Sequence, residues 1–165
     1  MNINNIAVVL MVIILFIIPG CSGDIIPPPP PEPDIFAEVS GYDNLHFETV
    51  VNPTWNDAVK QYNYSGFMNK NGKKYSLIIG IFYHDSDLYA GTYNFSPNTV
   101  PNQVYAIGSL IINNGKSDKV FLSDSGTINI TKKIGMSIEA TYEFYATLKD
   151  STAQIRVYNG ILKKN

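Results

Sequence analysis

Residues 138 to 148 carry the strictest alternation of apolar and polar side chains in this chain of 165 residues. Apolar side chains occupy every second position: Ile138, Ala140, Tyr142, Phe144, Ala146 and Leu148. A period of two is that of a β-strand, whose successive side chains point to opposite faces of a sheet. One face of this strand is therefore predicted to be buried, and Glu143 and Tyr145 are predicted to lie on the solvent face.

The rest of the chain after residue 34 follows the same pattern in shorter runs. These runs are rich in Tyr, Ile, Val, Thr and Phe, and Gly, Asn and Asp separate them. Further strands are predicted at Ile35–Val39, Leu45–Val51, Leu88–Phe95, Val104–Ile112 and Val120–Leu122. Helical periodicity is nearly absent, and the best candidate for a helical turn is 56–59. The sequence predicts an all-β domain of nine or ten antiparallel strands, either a β-sandwich or a partly open up-and-down barrel.

Three hairpins can be aligned by counting outward from their turns. The Asn71-Gly72 turn, typical of type I′, pairs Tyr62 with Ile81, Tyr64 with Ile79, Gly66 with Leu77 and Met68 with Tyr75. A three-residue loop at 133–135 pairs Ile130 with Ile138 and Ile128 with Ala140. A turn at 149–152 pairs Ala146 with Ile155, Phe144 with Val157 and Ala140 with Ile161. Residues 75–83 and 104–112 are apolar on both faces, so these strands are predicted to be central and covered on both sides.

The N-terminal segment is different in kind, since Ile6 to Ile18 is uninterrupted apolar sequence. As a helix it would span about 20 Å, which is short of the ~30 Å hydrocarbon core of a bilayer. That length is typical of the central region of a secretory signal. The leader MNINN has no Lys or Arg, although a positive charge is usual there.

Ile18-Pro19-Gly20-Cys21 follows this run and resembles the lipobox of bacterial lipoproteins. The resemblance implies that the signal peptide 1–20 is removed and that Cys21 receives diacylglycerol and a fatty acid such as palmitate, which anchors the chain to a membrane. Ser22 is not the Asp that retains many lipoproteins in the inner membrane, so the outer membrane is expected, with the domain on its periplasmic or surface face. Ordinary cleavage after Gly23 and an uncleaved anchor remain open. Cys21 is the only cysteine, so no intramolecular disulfide can form.

Residues 21–34 are predicted to be a tether ahead of a single domain at 35–165. Pro27 to Pro31 form a run of five prolines, which favours a stiff polyproline II spacer over a ligand for a partner domain.

Four motifs follow one another in the second half of the chain. They are Gly91-Thr92-Tyr93, then Ser125-Gly126-Thr127-Ile128-Asn129-Ile130-Thr131, then the alternating strand 139–146, then Val157-Tyr158-Asn159-Gly160-Ile161-Leu162. In this order they resemble the G-T-Y, S-G-x-I-x-I-T, F-x-F-x-A and V-x-x-G-x-F motifs of small, uncharacterised β-rich lipoproteins of the Bacteroidota. Leu162 stands where those proteins have Phe. The resemblance implies a location in the cell envelope and an all-β fold, and the family has no known activity.

The sequence contains only weak motifs for nucleic-acid binding, metal binding or catalysis. The formal net charge of −2 and the scattered bases exclude a nucleic-acid footprint. The two histidines, His46 and His84, fall in different predicted strands, and His84-Asp85-Ser86-Asp87 is better interpreted as a turn than as a Ca²⁺ site. Glu139 and Glu143 share a face but lie roughly 13 Å apart along a strand, too far for glycoside hydrolysis. We therefore expect no metal, no cofactor and no catalytic residue.

Aromatic recognition is the functional hypothesis with the most content. The third hairpin places Tyr145 opposite Arg156 and Glu143 opposite Tyr158 on the outer face, where they could bind a sugar ring or a protein. The alternative is that these tyrosines only stabilise the sheet through cross-strand pairs. The sequence favours a non-catalytic binding module of the cell envelope, for a glycan or an envelope protein. A structural accessory subunit of an outer-membrane complex is the second hypothesis, and a hydrolase is the third.

Lipidation of Cys21 predicts a direct biochemical result. Cells grown with labelled palmitate should yield a labelled, membrane-bound protein, and Cys21→Ser should lose both the label and the membrane fraction, because the thiol is the attachment point. Ser22→Ala is the matched control and should keep both. An unlabelled mature chain that begins at Asp24 would contradict this prediction and indicate ordinary signal cleavage.

Overall fold

The computed structural model describes residues 35–41, 43–49, 53–56, 58, 60–83, 88–135 and 137–163, all within the compact unit Pro31–Asn165. Ten strands are present: β1 (Ile35–Ser40), β2 (Leu45–Thr49), β3 (Thr54–Asn56), β4 (Gln61–Lys70), β5 (Lys73–Phe82), β6 (Gly91–Asn94), β7 (Tyr105–Asn113), β8 (Asp118–Ile134), β9 (Ser137–Leu148) and β10 (Gln154–Leu162). The all-β prediction is confirmed. The signal peptide, Cys21, the tether and His84-Asp85-Ser86-Asp87 lie outside the described residues, as do 57 and 59. Asn56 ends β3, and its side-chain oxygen accepts a hydrogen bond from the Ala58 amide at 3.1 Å. Ala58 has a 3₁₀ conformation, so the described part of the predicted turn at 56–59 agrees with the prediction.

The strands form one sheet in the order β2-β1-β10-β9-β8-β7-β5-β4-β3, with β6 paired to β8 beside this path. Every pairing between these strands is antiparallel, and the sheet curls into a half-barrel. Its inner face holds the core, whose largest fully buried side chains include Phe47, Tyr64, Tyr75, Phe121 and Phe144. No helical segment among the described residues has the length and hydropathy needed to cross a membrane.

Hydrogen bonds join the turn between β1 and β2 to the β4–β5 hairpin, near opposite ends of the strand order. The Lys70 ammonium donates to the Asn44 carbonyl oxygen at 2.7 Å. The Asp43 carboxylate accepts from the Tyr75 hydroxyl at 2.8 Å and from the Lys73 ammonium at 3.2 Å. Asp43 therefore ties the turn between β1 and β2 to the β4–β5 hairpin and holds the curled sheet together.

The first hairpin is confirmed residue for residue. Asn71 and Gly72 have φ of 52° and 73°, as a type I′ turn requires, and all four predicted pairs are present. The strict alternation of β9 is confirmed for its inward residues from Ile138 to Ala146, whereas Leu148 is half-buried. β5 and β7 are central in the sheet, as predicted.

The second hairpin was predicted in the wrong register. Ile134 pairs with Ser137 across a two-residue connection, and Ile130 pairs with Ala140, not with Ile138. Ile128 is shifted by the same two residues and lies opposite Tyr142. The counting failed because the loop was placed at 133–135, which puts the pairs next to the turn three residues out of register. A bulge between Ile130 and Lys132 places two residues against one and reduces this difference to two residues.

The third hairpin is confirmed only up to Val157. A second bulge lies between Val157 and Gly160 and places Leu162 opposite Ala140, where Ile161 was predicted. Leu162 is buried and Ile161 is half-buried on the other face, because a shift of one residue exchanges the two faces of a strand.

β8 is long enough to serve two neighbours on one edge. β7 pairs with it as far as Leu122, and β6 pairs with it from Thr127. Between these segments the Gly108 amide donates at 3.0 Å to the hydroxyl of Ser123, a fully buried polar residue. Among the described residues every buried side-chain nitrogen and oxygen has a hydrogen-bond partner.

Gly126 marks a close approach of β8 to β9, and Gly126→Ala is predicted to be strongly destabilising. A Cβ there would meet the Glu143 carbonyl oxygen and lie 2.5 Å from Cα of Phe144, at a φ of +133°. We expect a loss of at least about 3 kcal/mol in the free energy of unfolding, measured in urea. Gly115→Ala is the control, because Gly115 has a φ of +83° and open space around it. It should cost only about 1 to 2 kcal/mol. Equal losses would refute the close approach.

The contacts of Asp43 between the β1–β2 turn and the β4–β5 hairpin are predicted to weaken in acid. Partial burial alone would raise the pKa of Asp43, but hydrogen bonds from Tyr75 and Lys73 outweigh it and lower that pKa below its ordinary value of 3.8. The unfolded chain then binds more protons below pH 3.8, so this contribution to stability is present above that pH and is lost as the pH falls through the lowered pKa.

Urea unfolding of the wild type and Asp43→Asn, from neutral pH to about pH 3, tests this assignment. The stability difference between them should be largest near neutrality and should shrink on the acid side of pH 3.8. Glu48→Gln, which removes an exposed carboxylate from β2, is the control. A difference that does not change with pH would contradict the prediction.

Candidate binding surface

The four residues predicted from the third hairpin lie together on the outer face of β9 and β10. Arg156 Nη2 is 3.1 Å from Glu143 Oε2. The Arg156 guanidinium carbon lies 5.7 Å from the ring centroid of Tyr145 and 5.4 Å from that of Tyr158. We call these four residues the Arg156 cluster. Both rings lie within the distance at which a cation is attracted to an aromatic face, so they help to position the Arg156 guanidinium.

The bulge in β10 positions this cluster. Tyr158 and Asn159 together lie opposite Glu143, and Asn159 adopts a left-handed conformation with a φ of 51°. Gly160 follows, and a Cβ there would lie 2.5 Å from the ring of Tyr142. The Val-Tyr-Asn-Gly motif is therefore a bulge closed by a residue without a side chain, and it turns Tyr158 and Asn159 outward.

Charge reinforces the arrangement. The hydrogen bond to Glu143 raises the pKa of Arg156, which stays a cation at any physiological pH. Glu38 of β1 lies opposite Tyr158. Its carboxylate, as a hydrogen-bond acceptor, raises the pKa of Tyr158, so the Tyr158 hydroxyl stays protonated. The Asn159 amide also approaches Glu38, at 3.5 Å. The cluster is thus tied to β1 as well as to β9.

An open groove of about 660 Å³ adjoins the cluster through Glu143. Its lining comes from four neighbouring strands: Phe36, Thr127, Asn129, Thr141, Tyr142, Glu143, Asn159, Gly160 and Ile161. Cross-strand pairs order these residues in rows, with Thr127 opposite Glu143 and Asn129 opposite Thr141. Four of these nine residues carry short hydroxyl or amide side chains, and Phe36, Tyr142 and Ile161 contribute apolar surface. The Thr92 hydroxyl of β6 extends the second row by a 3.3 Å hydrogen bond to Asn129. The groove and the Arg156 cluster together are called the polar face.

The groove residues were not predicted. Thr127 and Asn129 come from β8, whose predicted register was shifted by two residues. It placed Thr127 opposite Thr141 and Asn129 opposite Glu139, whereas the observed partners are Glu143 and Thr141. The available signal was the run of Thr and Asn at alternate outward positions of β8. The predicted cluster itself did not depend on β8, because Tyr145 and Arg156 face each other across the correctly aligned part of the third hairpin.

No group of three or more His, Cys, Asp or Glu side chains within the described ranges could hold a metal ion. His46 lies 3.5 Å from Glu48 and packs edge-on against Phe36. Glu139 is paired with Lys132 at 3.4 Å. These side chains are engaged with one another and do not converge on a common point.

A second, smaller cleft of about 260 Å³ lies beside Phe82, Tyr83, Pro101 and Tyr105. Trp55 stacks on Tyr83 at 5.3 Å and packs against the core. The rings of this cleft are mainly packed on one another, and its lining has no charged side chain.

Comparisons of this chain with protein-family models, with curated proteins and with solved structures found no match.

Proposed function

We propose that this protein is a lipid-anchored protein of the bacterial cell envelope, on the outer membrane, that binds a glycan without chemical conversion. The observation that carries the proposal is the Arg156 cluster at the border of an open groove. The groove lining combines apolar surface with the hydroxyl and amide groups of Thr127, Asn129, Thr141 and Asn159. Anchoring through Cys21 rests on the lipobox-like sequence.

The chemistry of the polar face suits a carbohydrate. A sugar presents apolar C–H faces and many hydroxyl groups, so its sites combine an exposed ring with hydrogen-bonding side chains. Tyr145 supplies the ring, with 46% of its surface exposed. Asn129 and Thr141, on neighbouring strands about 4.8 Å apart, supply short donors and acceptors in one row, and Asn159 supplies another in the row of Glu143.

The charges favour an uncharged glycan. Glu143 is the one charged residue that lines the groove in the described part of the chain, and Glu38 lies beside Asn159. Arg156 is the cation nearest to them, and Glu143 already neutralises it at 3.1 Å. An acidic polysaccharide would meet carboxylates without a free cation, which costs binding energy.

Binding is favoured over hydrolysis because the groove holds one carboxylate among its described lining residues. Glycoside hydrolysis uses two, separated by about 5 to 9.5 Å across the scissile bond. Glu143 is also held in its ion pair with Arg156 and is poorly suited to act as a general acid.

A structural accessory subunit of an outer-membrane complex is the second candidate function. An apolar outer face on β4, β5, β7 and β8, which exposes Phe67 and Leu122, is the observation that favours protein contacts. That face and the polar face are different parts of the sheet, so the two functions can coexist.

Affinity electrophoresis tests the glycan proposal. The full-length protein is run through native gels that contain dextran, a neutral β-glucan or polygalacturonate. We expect slower migration in at least one neutral polysaccharide and none in polygalacturonate. Tyr145→Ala should weaken that retardation by roughly two- to tenfold, because an aromatic contact contributes about 0.5 to 1.5 kcal/mol.

Ile134→Ala is the matched control, since Ile134 is 48% exposed on the β8–β9 hairpin tip, close to the exposure of Tyr145. It should bind like the wild type. The same loss in both variants, or retardation by polygalacturonate alone, would refute the assignment of the polar face to neutral glycans.

A further inference from the structure

The groove of the polar face runs across the strands and not along them. Each strand contributes only a short stretch at one level of the sheet: Phe36 from β1, 159–161 from β10, 141–143 from β9, and 127 with 129 from β8. Neighbouring strands lie about 4.8 Å apart, so β1 to β8 give the groove a length of roughly 14 Å, and β6 adds a further strand. Along the strands the lining covers two outward positions, about 7 Å. A ligand that fills the groove is therefore long and narrow.

Two polar rows continue from the groove across β9, β8 and β6. Each of these strands places one exposed side chain in each row, and no bulge interrupts the pairing between the two rows. The first row contains Glu143, Thr127 and Asn94, and the second contains Thr141, Asn129 and Thr92. We call these six residues the polar array.

Long and short side chains alternate within each row of the polar array. β6 and β8 both carry the sequence Thr-x-Asn and run antiparallel, so the Asn of one strand lies opposite the Thr of the other. β9 continues the pattern, because its Glu143 lies opposite Thr127 and its Thr141 lies opposite Asn129. The longer side chain therefore changes row at every strand, and the array repeats at every second strand, about 9.6 Å.

We propose that the ligand of the polar face is an extended polysaccharide of β-1,4-linked pyranose sugars that runs across the strands, an inference that rests on the proposed function of glycan binding. Successive sugars of such a chain advance by a distance close to the ~4.8 Å between strands. Each sugar is also turned over relative to the one before, so its hydroxymethyl group changes edge at every step. The longer side chain of the polar array changes row with the same period.

The polar array supplies both donors and acceptors to such a chain. Threonine hydroxyls and asparagine amides donate and accept, whereas an ionised glutamate only accepts. The Thr92 hydroxyl lies 3.3 Å from the Asn129 amide oxygen, which leaves the Asn129 nitrogen to donate to a ligand. Every sugar in register thus meets one threonine and one longer polar side chain.

This geometry discriminates against coiled glycans. Chains with α-1,4 or β-1,3 linkages wind into helices, so their successive sugars do not stay in register with a straight row of strands. A coiled chain gains contacts from one or two sugars only. An extended chain gains a further pair of contacts at each of the strands β10, β9, β8 and β6, which together offer about four sugar positions.

Calorimetric titration of the full-length protein in detergent tests the proposal, with cello- and manno-oligosaccharides of two, four and six sugars as probes. We expect the affinity for at least one of these series to rise at least tenfold from two sugars to four and then to level off. Maltotetraose and laminaritetraose, which have the same length but α-1,4 and β-1,3 linkages, should bind no more tightly than the disaccharide.

A double substitution on β6 tests the polar array itself. Thr92→Val with Asn94→Leu removes two polar groups at the end of the array and nearly keeps the side-chain volumes. It should weaken the binding of the hexasaccharide about tenfold and leave that of the disaccharide unchanged, because the other strands remain. Thr54→Val with Asn56→Leu makes the same changes in the Thr-Trp-Asn sequence of β3, at the far end of the strand order. This control should bind like the wild type.

The outcomes separate this inference from the proposed function. Equal affinity for two and six sugars, or tighter binding of maltotetraose, would overturn the extended chain, as would equal losses in the β6 and β3 variants. If Tyr145→Ala still weakens the binding in that case, the proposed function stands. A protein that binds no neutral oligosaccharide and no neutral polysaccharide overturns both.

Discussion

The sheet depends on how β8 passes from one neighbour to the next. The pairing of β7 with β8 ends at Leu122, and the pairing of β6 with β8 begins at Thr127. The backbone amide of Gly108 on β7 therefore has no carbonyl acceptor on β8. The buried Ser123 hydroxyl accepts that hydrogen bond. A buried amide without a partner would cost about 1 to 3 kcal/mol. One serine therefore allows a seventeen-residue strand to serve two neighbours, and β9, β10 and β1 build outward from its other edge.

Local pairing could be predicted from the sequence wherever the alternation ran without interruption. The Asn71-Gly72 hairpin follows from its turn chemistry, and β9 follows from its period of two. The bulges could not be predicted, because contacts between residues far apart in the sequence determine where they form. A Cβ at position 160 would clash with the ring of Tyr142, which packs directly against Gly160. The sequence around Gly160 does not show that this ring will be its neighbour. The missed bulge in β10 moved the predicted pair at Ile161, and the misplaced loop between β8 and β9 moved the pair at Ile128.

The candidate site divides in the same way. Tyr145 and Arg156 face each other within the correctly aligned part of one hairpin, so their proximity could be predicted from the sequence. The groove combines β8, β9, β10 and β1, and its geometry depends on two bulges and on the pairing of the first strand with the last. That long-range pairing is invisible to periodicity. The continuous apolar sequence of β5 and β7 did indicate that both faces of these strands are apolar. The structure adds that their outer face remains partly exposed.

The pairing of β1 with β10 also fixes when the fold can be completed. Ile35 lies opposite Leu162, so the first and last strands of the described domain are hydrogen-bonded neighbours. During synthesis the β4–β5 hairpin can form early, but β1 has no partner strand for its β10 edge until residues 154–162 have left the ribosome. Bringing together two strands so far apart in the sequence is slow, because the entropy cost of closing the loop comes before the contacts that offset it. The growing chain therefore cannot reach its native state before its last described strand has been synthesised.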